Sequence, residues 1–290
     1  MPGQGGLSRT PLFGAQHADR YDRQSLIREY EEKFDAHLIV MIDQIFAAGT
    51  TLLQELLSEL DRDRPLHLIL ASPGGDPEVA VRLLRALQAA TNKDLTIIVP
   101  DMAKSAATLM CLGADRILMA PASDLGPVDP QFPLGANLVP AKEIQRAVRR
   151  AEERIAAVPE SYPLYSGLLV DLDLTIFEAA VTATDRSYSQ IEEALRCRGL
   201  SATAAKTLAD TLRGPLVDES TSHGATIGPD AAKELGLPVE IVDTQSEQWS
   251  YVWALWTRYF QLGAWPAGDG RVYEGRTASQ VYIPPPFPQA

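Results

Sequence analysis

The chain has 290 residues, with 26 Lys and Arg against 38 Asp and Glu, which gives a formal net charge of −12. A dedicated nucleic-acid binder needs a clustered basic surface, so this balance argues against that class. Hydrophobic residues make up 46% and charged residues 22% of the chain, which allows a large core and excludes wholesale disorder.

The sequence carries no signal for a membrane, a secretion pathway or a disulfide framework. No run reaches the ~18 to 20 consecutive apolar residues of a membrane span, and the start, MPGQGGLSRTPLFG, lacks the apolar core of a secretion signal. We therefore expect a cytoplasmic protein without a transmembrane segment. Cys111 and Cys197 are far apart and outside any CxxC motif, so we expect no structural zinc, and Cys111, within TLMCLGA, should be a core residue.

Strand and helix patterns alternate in the first half of the chain. Strands are predicted at 37–43 (HLIVMID), 67–72 (HLILAS), 94–100 (DLTIIVP) and 115–121 (DRILMAP). Helices are predicted at Ser25–Phe34, at Thr50–Asp61 with Thr50 or Thr51 as N-cap, at 76–90 with Asp76 and Pro77 in the first positions, and from near Ser105. This alternation indicates an α/β fold with βαβ crossovers and a mainly parallel sheet.

The second half is mostly helical. Helices are predicted at Ala141–Val158, Leu172–Thr184, Tyr188–Arg198, Ala202–Arg213 and Pro229–Leu235, followed by a short strand in PVEIVD and an aromatic helix at Gln245–Phe260. The last residues, IPPPFPQA, contain P-x-x-P and are expected to be an extended, solvated tail.

Two loops that follow predicted strands carry the chemistry. The first contains Gly74 and Gly75, whose missing side chains leave backbone N–H groups uncovered, as the binding of an oxyanion requires. The second contains Ser105, which is either a helix N-cap or a nucleophile. One helix and one strand separate the loops, so both should lie at the carboxyl edge of the sheet, where α/β folds bind ligands.

These motifs resemble a known family. SPGGD, followed one βα unit later by KSAATLMCLGADRILMAPASDLGPVDPQ, is similar to the Clp-fold serine peptidases of the ClpP/crotonase superfamily. The resemblance is closest to the serine dehydrogenase proteinase family, through TPLFGAQHADRYDRQSLIREYE and HGATIGPDAAKELGL as well. It implies repeated ββα and βαβ units plus C-terminal helices, with Ser105 as nucleophile and the N–H groups of Gly74 or Gly75 and of Ala106 as oxyanion hole.

The chain differs from the family at the position of the general base. ClpP-like members carry a histidine in the loop after the fourth strand, where this chain has Asp129 in GPVDPQ. An aspartate, with an ordinary pKa of about 3.9, is a poor proton acceptor.

Two substitutes for that histidine remain. Lys142, 37 residues after Ser105, matches the lysine of NfeD-type members, and burial at a helix N-terminus would favour its uncharged form. Lys142 lies about 200° from the apolar stripe that begins at Ile144, so a solvated lysine is an equal alternative. His223 precedes a segment that resembles the end of the ClpP domain and is either the base or a surface residue; His17, His37 and His67 have weaker claims.

The sequence therefore predicts a serine peptidase without metal or organic cofactor that acts on peptides or proteins. The alternatives are a catalytically silent Clp-fold scaffold and a crotonase-type acyl-thioester enzyme. We expect an N-terminal extension and helix at 1–35, the catalytic domain at 36–243, the aromatic helix at 244–263 and the Pro-rich tail at 264–290. Trp249, Trp253 and Trp256, with Tyr259 or Phe260, form a stripe that should be a packing face or a subunit contact, and the family implies a homo-oligomer.

Overall fold

A computed structural model describes residues 10–134, 137–170, 172–219 and 224–284 of the chain. The strands are β1 (His37–Ile42), β2 (Leu66–Ala71), β3 (Leu95–Val99), β4 (Met102–Ala103), β5 (Arg116–Met119), β6 (Asp124–Leu125), β7 (Gln131–Leu134), β8 (Asn137–Pro140), β9 (Val239–Ile241), β10 (Arg271–Glu274) and β11 (Ser279–Tyr282). The α-helices are α1 (Pro11–Gln16), α2 (Ala18–Phe34), α3 (Ala47–Leu57), α4 (Pro77–Ala89), α5 (Ala106–Leu112), α6 (Ala141–Ala157), α7 (Tyr162–Leu168), α8 (Leu174–Cys197), α9 (Ala202–Arg213), α10 (Pro229–Glu234) and α11 (Glu247–Leu262). A 3₁₀ turn (Pro159–Ser161) and a π-helical turn (Gly214–Asp218) complete the list.

The centre of the fold is a seven-stranded sheet in the order β11-β10-β1-β2-β3-β5-β9. The parallel strands are β1, β2, β3, β5 and β9. One row of paired residues across them consists of Val40, Ile69, Ile98, Leu118 and Glu240. Strand β10 pairs antiparallel with β1, and β11 pairs antiparallel with β10. The predicted α/β class with a mainly parallel sheet and C-terminal helices is confirmed.

Alternation along the strands builds two cores, one on each face of the sheet. Leu68 and Leu70 of β2 pack in the larger core with α3, α4, α5, α8 and α9, whereas Ile69 faces the smaller core under α2 and α11. Every residue of β1, β2 and β3 is buried, as expected for strands covered on both faces. Cys111 is fully buried in the larger core, as predicted.

Helix α4, which follows the Gly-Gly loop at the carboxyl edge of the sheet, is well capped. Asp76 accepts hydrogen bonds from the N–H groups of Glu78 (2.8 Å) and Val79 (3.3 Å), and Pro77 follows it, as predicted. Its neighbour α3 differs, because Phe46 precedes the first turn, so the predicted N-caps Thr50 and Thr51 lie inside the helix.

Two further expectations about secondary structure are corrected. Two helices were predicted at Leu172–Thr184 and Tyr188–Arg198, but the structure has one continuous helix, α8, from Leu174 to Cys197. At the predicted break, the guanidinium of Arg186 donates hydrogen bonds to Glu78 and Glu193. The expected tail from residue 264 instead contributes β10 and β11 to the central sheet.

Strand β10 is held by a buried ionic network. Glu274 accepts hydrogen bonds from Arg23 Nε and from Tyr259 Oη, both at 2.7 Å, and the side chains of Arg23 and Glu274 are 5% and 0% exposed. This network joins α2 and α11 to the strand that sequence patterns had missed.

The aromatic stripe of α11 is only partly a packing face. Trp249, Trp256 and Tyr259 are buried in the smaller core, as that alternative predicted. Trp253 and Phe260 are 48% and 50% exposed.

The β7–β8 hairpin, helices α6 and α7 and the start of α8 form a unit that we call the arm. Strands β7 and β8 pair antiparallel and pack with α6 and the start of α8 around Ala141, Ile144 and Ala180. Among the described residues, no helix combines the length and the apolar character needed to cross a bilayer.

Candidate active site

Two loops meet at the carboxyl edge of the sheet, as predicted. The N–H of Ser72, directly after β2, donates to Met102 O (3.0 Å), and the N–H of Lys104 donates to Ser72 O (3.0 Å). These bonds fix the Gly-Gly loop against the loop that carries Ser105.

Ser105 has an unusual backbone conformation. Its φ is 52° and its ψ −118°, a sparsely populated region for a residue with a side chain, which costs on the order of 1 to 3 kcal/mol. The residue occupies the N-cap position of α5, yet its hydroxyl makes no capping hydrogen bond. A side chain that is half-buried, strained and not used as a cap is available for chemistry.

The Gly-Gly turn lies directly against Ser105. A Cβ on Gly74 would stand 2.7 Å from Ser105 Cβ and 3.3 Å from the nitrogen of Ala106. A Cβ on Gly75 would stand 2.3 Å from Ile45 O, and φ is +105° and +145° at the two positions. Only glycine satisfies both the conformation and the close approach.

A backbone strap holds the turn from its other side. The N–H of Ile45 donates to Gly74 O (2.8 Å), and the N–H of Asp76 donates to Ile45 O (2.7 Å). Both loops are therefore rigid before any substrate binds, which is what preorganised catalysis needs.

The N–H groups near Ser105 are not equivalent. Gly74 N–H donates to Ser72 Oγ at 3.1 Å. The N–H groups of Gly75 and Ala106 donate to no other described residue. Of the three groups predicted for the oxyanion hole, these two are therefore the better placed to receive a ligand oxygen. Sequence reasoning missed Ser72 and Ile45, although a serine two residues before a glycine is typical of a hydroxyl–backbone turn.

Lys104 is turned away from Ser105. Its Nζ lies 2.5 Å from Asp124 Oδ1 and donates to Leu125 O (3.2 Å) and Ala225 O (3.3 Å). Burial and the charge of Asp124 raise the pKa of the neighbouring Asp101. The Lys104 ammonium offsets part of this rise. Lys104 thus anchors the loop to β6 and the segment before α10.

Lys142 is buried, which corrects the alternative of a solvated lysine. It is 6% exposed in the first turn of α6, and its Nζ lies 3.3 Å from Asp129 Oδ2. The helical angle from Ile144 was misleading because the β7–β8 hairpin covers the start of α6, where Ala141 N–H donates to Pro130 O (2.9 Å).

The loop of Asp129 is joined to the helix of Ser105. Thr108 Oγ1, in the first turn of α5, lies 2.8 Å from both Ala103 O and Gly126 O and accepts a hydrogen bond from Gly126 N–H at 3.2 Å. Val128 N–H donates to Leu216 O (2.8 Å). Asp129, which pairs with Lys142 of α6, therefore lies on a loop that Thr108 fastens to the Ser105 helix.

The histidines divide into two groups. His223 lies outside the described residues and stays a prediction. His37 and His67 lie in the first residues of β1 and β2, at the amino edge of the sheet, as expected. Burial, with a further contribution from Arg116, lowers the pKa of His67 to about 4, and its Nδ1 lies 2.6 Å from Tyr30 Oη. The described part of the chain holds no group of three or more His, Cys, Asp or Glu side chains arranged for a metal ion.

Comparisons with known proteins define the class. Residues 53–161 match the model of the ClpP-like SDH-type serine proteinases, and this segment contains both loops of the carboxyl edge, Ser105, Asp129 and Lys142. Over this segment the chain is similar to that family, and the resemblance inferred from the Gly-Gly and Ser105 motifs is confirmed.

Two similar proteins come from one archaeal organism. An uncharacterized protein of Methanocaldococcus jannaschii is 29% identical over 232 residues, which cover 75% of this chain and 73% of that protein. A second uncharacterized protein of the same organism is 35% identical over 94 residues, which cover 32% of this chain and 30% of that protein.

Solved structures with a similar arrangement include two of a membrane-bound stomatin-specific protease. One is 15% identical and covers 72% of this chain and 79% of that chain, with a TM-score of 0.45. The other, in complex with a substrate peptide, is 16% identical and covers 73% of this chain and 77% of that chain, with a TM-score of 0.46.

Proposed function

We propose that the protein is a serine peptidase in which Ser105 is the nucleophile. The observation that carries the proposal is the strained backbone of Ser105, held against Gly74 in a loop where the hydroxyl makes no cap. Strained strand-to-helix turns that expose a serine are typical of nucleophiles in α/β hydrolases. The family match of residues 53–161 supports the same reaction class.

The oxyanion hole consists of the N–H groups of Gly75 and Ala106. Both are without a described acceptor, whereas Gly74 N–H is occupied by Ser72 Oγ. Two preorganised donors beside the nucleophile would stabilise the negative charge that develops on the substrate carbonyl oxygen.

Lys142 is the favoured base. In its uncharged form it takes the proton of Ser105 Oγ as Oγ bonds to the carbonyl carbon of the scissile peptide. Collapse of the tetrahedral intermediate breaks the C–N bond, and the leaving amine takes that proton from the Lys142 ammonium. Water then hydrolyses the ester on Ser105 by the same proton route.

Asp129 serves this reaction as the counter-charge of Lys142. At 3.3 Å its carboxylate stabilises the ammonium that exists between the two proton transfers. A lysine base must be uncharged to accept the Ser105 proton, so activity should rise towards alkaline pH. If His223 were the base, the rise would fall near the ordinary histidine pKa of about 6.5.

Two measurements on the purified chain test this assignment. A fluorophosphonate probe should label Ser105, and Ser105→Ala should abolish both labelling and hydrolysis of a casein substrate. Lys142→Arg keeps a cation beside Asp129 but removes a group that can lose its proton at accessible pH, so we expect a loss of about 10²- to 10⁴-fold in kcat. The matched variant Lys104→Arg, on the other side of Ser105, should keep most of the activity.

The outcomes separate the alternatives. Full activity in Lys142→Arg together with loss in His223→Ala would move the role of base to the histidine. A chain that folds but is not labelled at Ser105 would favour the silent scaffold or the acyl-thioester enzyme over the peptidase.

The arm is the surface we propose for self-association, in keeping with a homo-oligomer. Its exposed apolar side chains, each at least half exposed, are Leu138, Val158, Tyr162, Leu164, Leu168, Val170 and Leu174. A concentration of this kind is typical of protein contacts. Light scattering should give a mass well above 31.6 kDa, and a monomer at working concentration would contradict the proposal.

A further inference from the structure

An apolar groove lies on the opposite face of the sheet from α5. It has a volume of about 680 Å³ and is lined by Trp249 and Trp253 of α11 and by Pro100 and Pro121, which follow β3 and β5. The two indole rings are stacked, with centroids 6.3 Å apart and planes 24° apart. Among the lining residues only Asp101 carries a charge. Trp249 is 5% and Trp253 48% exposed, so the groove offers mainly the Trp253 ring and little that would have to be desolvated.

An uncharged stripe continues from the groove along α11. Trp253 and Phe260 are seven residues apart and therefore share a helix face, and both are about half exposed. Thr257 lies between them on this face, and Gly263 ends the helix. The stripe runs from the groove towards the C-terminal end of α11.

The described part of the chain ends beside Gly263, at the C-terminal end of α11. Ile283 contacts the end of α11, since a Cβ on Gly263 would stand 3.8 Å from Ile283 Cγ2 and a Cβ on Gly270 would stand 2.5 Å from its Cδ1. Ile283 is 37% exposed, so its side chain is only partly covered by these contacts. The sequence that continues from here is PPPFPQA, of which residues 285–290 lie outside the described residues.

The distances match. From Gly263 to Trp253 the helix rises about 15 Å, at ~1.5 Å per residue. Seven residues from Pro284 to Ala290 could span about 22 Å at the ~3.1 Å per residue of a polyproline helix. The segment is therefore long enough to follow the stripe from Ile283 into the groove.

We propose that the Trp249–Trp253 groove binds the chain's own proline-rich segment, Pro284–Ala290. Proline rings pack flat on indole faces, and proline-rich segments lose little conformational entropy on binding in aromatic grooves. The segment has no charged residue, in keeping with the almost uncharged groove. This interaction is independent of the proposed peptidase activity.

The test uses a chain that ends at Pro284 and the synthetic peptide IPPPFPQA. We expect the peptide to bind the shortened chain with a micromolar Kd in a titration of tryptophan fluorescence, and to bind the full chain at least tenfold more weakly because the groove is filled. A peptide with its prolines replaced, IAAAFAQA, should bind at least tenfold more weakly than IPPPFPQA. Trp253→Ala in the shortened chain should also weaken binding at least tenfold, whereas Tyr162→Ala on the arm should not.

Three results would overturn the proposal. The shortened chain could fail to bind IPPPFPQA at millimolar concentration, or the full chain could bind it as tightly as the shortened one. Light scattering identifies the remaining alternative: a mass that falls on removal of residues 285–290 would mean that the segment fills the groove of a second copy, contrary to binding within one chain.

Discussion

Two polar regions of this molecule differ in how completely their groups are partnered. Under α2 and α11, His67 meets Tyr30, and Glu274 meets Arg23 and Tyr259, all buried and within ordinary hydrogen-bond distance. At the carboxyl edge, Ser105 is strained and the N–H groups of Gly75 and Ala106 have no described acceptor.

The difference distinguishes polar groups that hold the packing together from polar groups that could bind a ligand. A buried group with all its partners stabilises one packing arrangement, whereas donors and a hydroxyl held rigid without partners are set up for a ligand. Burial raises the pKa of Tyr30 to about 12 and lowers the pKa of His67 to about 4, so a pKa shift by itself does not identify a catalytic residue.

The largest stability effect should come from the buried network. Glu274→Gln leaves the Arg23 guanidinium buried without its counter-charge, and we expect a loss of about 3 to 5 kcal/mol in the free energy of unfolding. Urea titration measures the loss, and residual activity at low temperature should persist. The matched variant Glu240→Gln breaks an exposed pair with Arg116 and should cost no more than about 1 kcal/mol; equal losses would contradict the distinction.

His67 should make stability depend on pH. Its folded-state pKa of about 4 lies below the unfolded value of 6.5, so the unfolded chain binds more protons between these values and stability falls as the pH falls. We expect His67 to account for a loss of about 2 kcal/mol between pH 7 and pH 5. His67→Gln should lack this part of the pH dependence in urea titrations; an unchanged slope would show that His67 is not buried in its neutral form.

Ser72→Ala tests which N–H groups form the oxyanion hole. Loss of the Ser72 hydroxyl leaves Gly74 N–H without its acceptor, which should cost about 1 to 2 kcal/mol of stability. Because Gly75 and Ala106 keep their positions, kcat should fall less than about tenfold, compared with the 10²- to 10³-fold typical of a lost oxyanion donor. A fall of the larger size would assign the role to the Gly74 loop as a whole.

The smallest expected effect tests whether the backbone of Ser105 is strained. Ser105→Gly and Ser105→Ala should both be inactive, but glycine relieves the positive φ, so the glycine variant should be more stable than the alanine variant by about 1 kcal/mol. Thermal unfolding of the two variants measures the difference. An alanine variant as stable as the glycine variant would mean that the backbone relaxes and that no strain is held at this site.

The sequence by itself determined the parallel α/β sheet, because apolar runs of strand length alternate with amphipathic helices. It also placed Gly74, Gly75 and Ser105 at one edge, because loops after adjacent parallel strands meet there. These inferences need only local periodicity and the handedness of crossovers.

Only the tertiary structure decided the environment of Lys142 and the formation of strands β10 and β11. The burial of Lys142 depends on a hairpin and on Asp129, neither of which lies on its own helix. Strands β10 and β11 are too short to show a pattern of their own and are stabilised by pairing with β1 and by the Glu274 network. In both cases, contacts between residues distant in sequence outweigh the local pattern, because the free energy of burial belongs to the assembled fold.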